Sequence, residues 1–212
     1  KFSIIFGILA CVAAGYFYQM RSPVAAILCW LLSIALVLAG GWKKTETRLV
    51  ISKMTWVSMA VILAGSFAIR AFNTATIPIV LSGDEASSGL FSLKFLTGEV
   101  NNIFITGWFS FPSLHNFLQS LSIRIFGQTT QALRLLAALG GALTVLLVYL
   151  VGKAMFGEIA GWAGAIFLTG LHFHNHFSRI GLNNIWDGFF FILVLGSAWV
   201  GWKHKSRLAW LL

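Results

Sequence analysis

The chain has 212 residues, of which 58% are hydrophobic and 10% charged. A soluble domain carries about 25% charged residues, and the apolar residues here gather in blocks of bilayer-spanning length without the alternation of a membrane β-barrel, so composition points to an all-α, polytopic transmembrane protein. The net charge of +9 does not imply a nucleic-acid partner, because the basic residues cluster in short linkers, Lys43, Lys44, Arg48 and Lys53 in one and Lys203, His204, Lys205 and Arg207 in another, as the positive-inside rule describes.

In chain order, apolar runs predict spans over about 3–19 and 24–42, then the basic linker, then a third span over about 52–72. The first run could also serve as the apolar core of a signal peptide. No small-residue cleavage site follows it, which favours a retained helix. Residues 73–131 are less hydrophobic and contain Pro78 and Pro112. Within them, 85–97 and 112–126 repeat apolar residues at three- and four-residue steps, Ala86, Leu90 and Leu93 in the first and Leu114, Leu118, Leu121 and Ile125 in the second. Both read as interfacial helices. Three more spans follow, over about 132–152, 158–173 and 185–202, giving six. Small residues at 140–142 and 161–165 suit close helix packing. The sequence begins at Lys1 and ends at RLAWLL, inside what reads as another apolar segment, so a fragment of a longer chain is expected. Cys11 and Cys29 lie inside apolar runs and read as small buried hydrophobes.

Placing the 43–53 linker on the cytoplasmic side puts 73–131 and 172–184 outside and the 203–207 cluster inside. Arg70, Lys94, Arg124, Arg134 and Arg179 then sit on the outer side, against the charge bias, and need a special reason. Two acids, Asp84 and Glu85, stand in IPIVLSGDEASSGL (77–90). SGDE fits a capping box, with acids at a helix N-terminus. The other reading is a surface carboxylate acting as base or metal ligand. Arg134 and Arg179 either snorkel or converge on an anionic headgroup, which suits the planar guanidinium. His172, His174 and His176 lack neighbouring acids or cysteines at metal-ligand spacing. Asn184 and Asp187 read as a helix cap with a first-turn acid, and together with His115 they form a candidate second site. Phosphate-loop, dinucleotide and zinc-protease motifs are not found.

The order of these features, and above all IFGQTTQALRLLAALGGALTVLLVYLVGKAMFG (125–157) followed by HFSRIGLNN (176–184), resembles the GT-C membrane glycosyltransferases, in the branch of the protein O-mannosyltransferases and lipid A aminoarabinose transferases. The resemblance runs over about residues 55–202. It makes 1–50 two extra N-terminal spans with their basic cytoplasmic linker, and 51–212 the N-terminal part of a transmembrane catalytic module. It implies a cell-membrane enzyme with an external active site, which moves a sugar from a polyprenyl-phosphate donor to a hydroxyl of an acceptor protein or glycolipid, with inversion. Asp84 stands at the family's catalytic carboxylate and Glu85 at the second residue of that motif. Arg134, Arg179 and Lys94 are candidates for the lipid phosphate.

The sequence departs from the family at two sites. Asn184 is an amide where many relatives carry an acid, unless Asp187 substitutes for it. Ser110 and Phe111 precede Pro112, where aminoarabinose transferases carry an acidic–basic pair, so a metal site built on that acid is unsupported. No cofactor is fixed by the sequence, and a divalent metal stays open. The competing reading is a non-enzymatic membrane protein, such as a transporter segment or lipid-binding scaffold. Ionisable residues at helix ends and the lack of an evident repeat speak against it.

Overall fold

The computed structural model describes residues 2–41 and 52–211. Lys43, Lys44 and Arg48 of the basic linker lie outside the described residues. The helices are α1 (Phe2–Gln19), α2 (Pro23–Gly41), α3 (Lys53–Ala71), α4 (Gly83–Thr97), α5 (Leu114–Phe126), α6 (Thr130–Phe156), α7 (Glu158–Gly170), α8 (His172–Phe177), α9 (Ile185–His204) and α10 (Arg207–Leu211). Among the described residues there is no strand, and the fold is the polytopic helical membrane architecture that composition implies.

Five helices, α1, α2, α3, α6 and α9, are long and apolar enough to cross a membrane. The sixth expected span is shorter than its apolar run suggests. α7 has 13 residues, about 20 Å at the helical rise, and the chain turns at Leu171 into α8 instead of continuing. The other apolar runs end within a few residues of their expected limits. Ser52 caps α3 and Thr129 caps α6, each hydroxyl accepting a backbone N–H in the first turn. Gly98 ends α4 in the left-handed region that glycine tolerates.

α6 is the central helix. Its apolar stretch is 44% buried, against 22% or less in the other four spans. At 27 residues it runs about 40 Å and serves two layers. Its C-terminal part packs with α3 and α7 around Ile62, Val145, Tyr149 and Ala165. Its N-terminal turns pack under α4 and α5 around Ile123, Ala132 and Leu133. α6 and α7 touch backbone to backbone: a Cβ on Gly161 would lie 2.6 Å from the Tyr149 carbonyl oxygen, a contact only a small residue allows. At that end Lys153 Nζ donates to Thr55 Oγ1 (2.7 Å) and pairs with Glu158, which also accepts from Tyr149 OH (2.7 Å). These contacts join α3, α6 and α7.

At the opposite end of this bundle Arg70 is fully buried. Its Nε donates to Ser178 Oγ (3.2 Å), Nη1 to the Ser66 carbonyl (3.1 Å), and Nη2 to the Leu168 carbonyl (3.3 Å) and His174 Nδ1 (3.0 Å). Since Nδ1 accepts, the ring proton of His174 sits on Nε2. This cluster presses on Gly141 of α6. A Cβ there would overlap Ser178 Oγ and stand 2.7 Å from Ser178 Cβ and 3.0 Å from Arg70 Nε.

The faces of α4 and α5 differ from one another. In α5 the apolar row Leu114, Leu118, Leu121 and Ile125 is exposed, whereas in α4 Leu90 is exposed and Leu93 of the same row packs against the Ile123, Ala132 and Leu133 cluster. The buried faces are Glu85, Ser88, Gly89 and Ser92 in α4, and Asn116, Gln119, Ser120 and Ile123 in α5. Polar groups can occupy this interior because they satisfy one another. Gln119 accepts from Ser92 Oγ (2.7 Å) and donates to the Leu133 (3.0 Å) and Gly181 (2.9 Å) carbonyls, and Asn116 donates to Ser88 Oγ (2.9 Å) and Ser92 Oγ (3.2 Å).

Gly141→Ala will lower stability by about 1–3 kcal/mol through overpacking, read as a lower thermal midpoint in detergent. Gly65→Ala, whose added methyl meets nothing within 4 Å, will not lower it. Equal midpoints for the two variants would remove the Arg70–Ser178 contact as a packing constraint.

Candidate active site

The connection from α3 to α4, residues 72–82, contains no helix or strand, so its carbonyls need partners from outside the segment. Two arginines supply them. Arg134 Nη1 donates to the Thr74 (2.9 Å) and Pro78 (2.8 Å) carbonyls and Nη2 to the Val80 carbonyl (3.2 Å). Arg179 donates through Nη1 to the Ile69 carbonyl (2.8 Å) and through Nη2 to the Phe72 and Ile77 carbonyls. The first two of these lie at the C-terminal end of α3, where orphan carbonyls are normal.

The remaining two donors of Arg134 grip Glu85 as a fork, Nε to Oε1 (2.7 Å) and Nη2 to Oε2 (2.9 Å). Both side chains are 1% exposed. Glu85 Oε1 also accepts the Gly181 backbone N–H (2.8 Å). All five guanidinium N–H groups of Arg134 therefore have acceptors, and the carboxylate has three donors. A buried ion pair tolerates desolvation when the remaining lone pairs and protons are satisfied in this way.

In this geometry Glu85 is enclosed, with its carboxylate accepting from Arg134 and Gly181, and every N–H of Arg134 is engaged. The capping box is only half formed. Ser82 Oγ accepts from Glu85 N (3.2 Å), but the Glu85 side chain turns inward to Arg134 rather than back to Ser82. Asp84, one residue earlier, is exposed on the first turn of α4, and no side-chain hydrogen bond engages it among the described residues. An apolar groove of about 350 Å³ runs along α4 from Leu81 and Ala86, on either side of Asp84 in sequence, to Thr129 and Thr130.

The other expected residues are scattered. Lys94 is at the far end of α4, about 15 Å from Asp84 by helical rise, and makes a loose exposed pair with Glu99 (3.7 Å). Arg179 keeps Nε without a partner. Burial, and then the positive charge of Arg134, hold its guanidinium below the ordinary arginine value. The trio proposed as a second site divides. His115 and Asp187 line one cleft of about 270 Å³ with Asn183 and Trp186, while Asn184 faces another of about 310 Å³ with His174. Neither ring nitrogen of His115 has a hydrogen-bond partner. Burial pushes its imidazole down to about 4, against a smaller opposing pull from the Gly181 backbone. His172 and His176 stack one helical turn apart, with centroids 6.1 Å apart. Among the described residues no three His, Cys, Asp or Glu side chains are grouped to hold a metal.

Residues 110–212 match the family model for dolichyl-phosphate-mannose-protein mannosyltransferases. The match supports the resemblance to GT-C mannosyltransferases, and with it a membrane glycosyltransferase of that type. It takes in Arg134 and Arg179, and it begins beyond Asp84 and Glu85. No curated protein matches the chain, and no solved structure does.

Glu85→Gln leaves a buried guanidinium without its counter-charge. It will cost about 3–5 kcal/mol of stability, measurable as a lower denaturation midpoint in detergent, and a midpoint within error of wild type would show that the pair is dispensable. A second expectation concerns acid. The folded His115 lies below its unfolded value of 6.5, so as pH falls the unfolded chain takes the proton first. Stability from this group is complete above about 6.5 and is lost progressively toward about 4. Thermal midpoints of His115→Gln will fall less than those of wild type over that window. Parallel decline in both would assign the acid sensitivity elsewhere.

Proposed function

We propose that the chain is the N-terminal part of a polyprenyl-phosphate-sugar-dependent glycosyltransferase, with Asp84 as the base that activates the acceptor. The observation that carries this reading is the contrast between two adjacent acids. Glu85 is locked by Arg134 and Gly181, so the first turn of α4 is fixed, and Asp84 is left exposed on that fixed turn. An exposed carboxylate on a fixed backbone is what a positioned base requires.

The reaction is a single displacement. A hydroxyl of the acceptor, on a protein or a glycolipid, gives its proton to Asp84 as its oxygen bonds to C1 of the donor sugar. The bond from C1 to the phosphate oxygen breaks, and its electron pair leaves with the polyprenyl phosphate. Attack opposite the leaving group inverts C1. General-base catalysis of this kind contributes about 10²–10⁴-fold. Arg134 and Glu85 are positioning residues in this scheme. Of the cations weighed for the departing phosphate, Arg179 bonds three carbonyls through its terminal nitrogens and keeps Nε unpartnered but buried, and Lys94 is exposed but distant.

The charges support an external site at a cell membrane. Lys53, Lys153, Lys203 and Lys205 gather at one end of the helices, where Lys153 reaches Thr55, and that end suits the cytoplasm. Asp84 lies at the other end. The arginines that break the charge bias there, Arg70, Arg134 and Arg179, have a structural reason, because each binds internal carbonyls.

The test uses the full chain in liposomes with a panel of polyprenyl-phosphate sugars and measures released polyprenyl phosphate. Asp84→Asn is expected to reduce release about a hundredfold with an unchanged thermal midpoint. Equal release by variant and wild type would take Asp84 out of the chemistry.

A further inference from the structure

Between α4 and α5 the chain forms a short loop closed by Gly107 N donating to the Phe111 carbonyl (2.7 Å) and by a bridge between Thr106 and Pro112. Its tip, Trp108–Ser110, is a single 3₁₀ turn. Phe109 and Ser110 both adopt left-handed backbone, at φ 52° and 63°, a conformation that costs a non-glycine residue energy and occurs in only a few per cent of them. The strained turn gathers Trp108, Phe109 and Phe111 into one cluster, with ring centroids 5.7–6.1 Å apart. Phe109 is 79% exposed. Strain that brings aromatic rings together only to leave them in water would have no return, so a partner for them is required.

We propose that this loop is a membrane anchor, with Trp108, Phe109 and Phe111 inserted into the lipid interface on the Asp84 side. Three observations select lipid over a soluble partner. From 100 to 123 the chain has no Asp, Glu, Lys or Arg, so the surface offers nothing to a charged protein. The loop is joined to two candidate spans through Phe104, which meets Trp30 of α2 edge-on at 5.6 Å and Tyr18, one residue from the end of α1, at 6.4 Å. Tyr18 lies at the end of its span and Trp30 about 10 Å along α2 from Pro23, so the contact holds the loop against the outer portions of both spans, near the level at which Trp and Tyr concentrate. The apolar row of α5, which follows directly, is also turned outward. Its polar face is hidden, an arrangement that water disfavours and lipid favours.

The anchor bears on the site through Gly107. A Cβ there would lie 2.6 Å from the Phe91 ring, so the loop base is seated on α4, the helix whose first turn carries Asp84. A loop fixed in the interface therefore sets the depth of that helix. This holds whether or not Asp84 is a base.

A nitroxide at Ser110→Cys, in the full chain with Cys11 and Cys29 replaced by alanine and reconstituted in phosphatidylcholine–phosphatidylglycerol vesicles, tests the depth by power saturation. Lipid insertion is expected to give strong relaxation by oxygen and weak relaxation by a water-soluble nickel chelate. A label at exposed Glu99→Cys provides the aqueous reference. Strong nickel relaxation at 110 would place the loop in water and overturn the proposal. Weak relaxation by both reagents would overturn it in favour of a covering protein segment. Because strain could make position 110 sensitive to substitution, Phe109→Cys is measured in parallel and must report the same depth.

Discussion

The geometry around Asp84 depends on one buried ion pair. Arg134 on the central helix holds Glu85 on α4 in a two-point grip, and the same guanidinium closes three carbonyls of the 72–82 connection. In an interior of low dielectric neither charge could stand alone, so the partners must stay together. Their union ties α4, α6, the α3–α4 connection and, through Gly181, the loop before α9. A segment without secondary structure thereby has three of its carbonyls bonded to one side chain. Arg179 repeats the device on the carbonyls closer to α3.

A second constraint follows from the solvent. Around α5 the polar groups face inward and the apolar row faces out, while α4 buries its serines beside Leu93 and Leu96. In water that arrangement would lose hydrophobic stabilisation on one face and bury amides and hydroxyls on the other. Beside lipid an outward apolar row is favourable, and inside, Gln119 and Asn116 bond the serines across from them, while the ring nitrogens of His115 stay without a partner. Arg70, Arg134 and Arg179 sit against the charge bias because each donates hydrogen bonds to internal backbone carbonyls.

The apolar spans were legible in the sequence because length and composition alone decide whether a helix can cross a bilayer. α7 was over-read for the same reason: its apolar run continues past Gly170, while the helix ends there, with Arg70 bonding the Leu168 carbonyl of its last turn. Ser82 and Gly98 bracket α4 as local rules require. The small residues of α6 and α7 stand at a close contact, as their pattern implied. Family resemblance, supported over 110–212, pointed to Asp84, Glu85, Arg134 and Arg179. It could not separate their tasks, since two adjacent acids look alike until one of them is seen to be enclosed.

The membrane architecture, the capped ends of α3, α4 and α6 and the residues worth asking about were readable from sequence, because these follow from local hydrophobicity, capping and motif order. The tertiary structure alone decided which acid is exposed, which faces of α4 and α5 are buried, and that His115 and Asp187 share a cleft that Asn184 does not. Those outcomes turn on contacts between residues 24 to 96 positions apart, such as Asn116 with Ser92, Arg134 with Glu85 and Gly181 with Glu85. Periodicity reports only which residues share a helix face. Whether that face meets lipid or protein is fixed by the packing of the whole bundle.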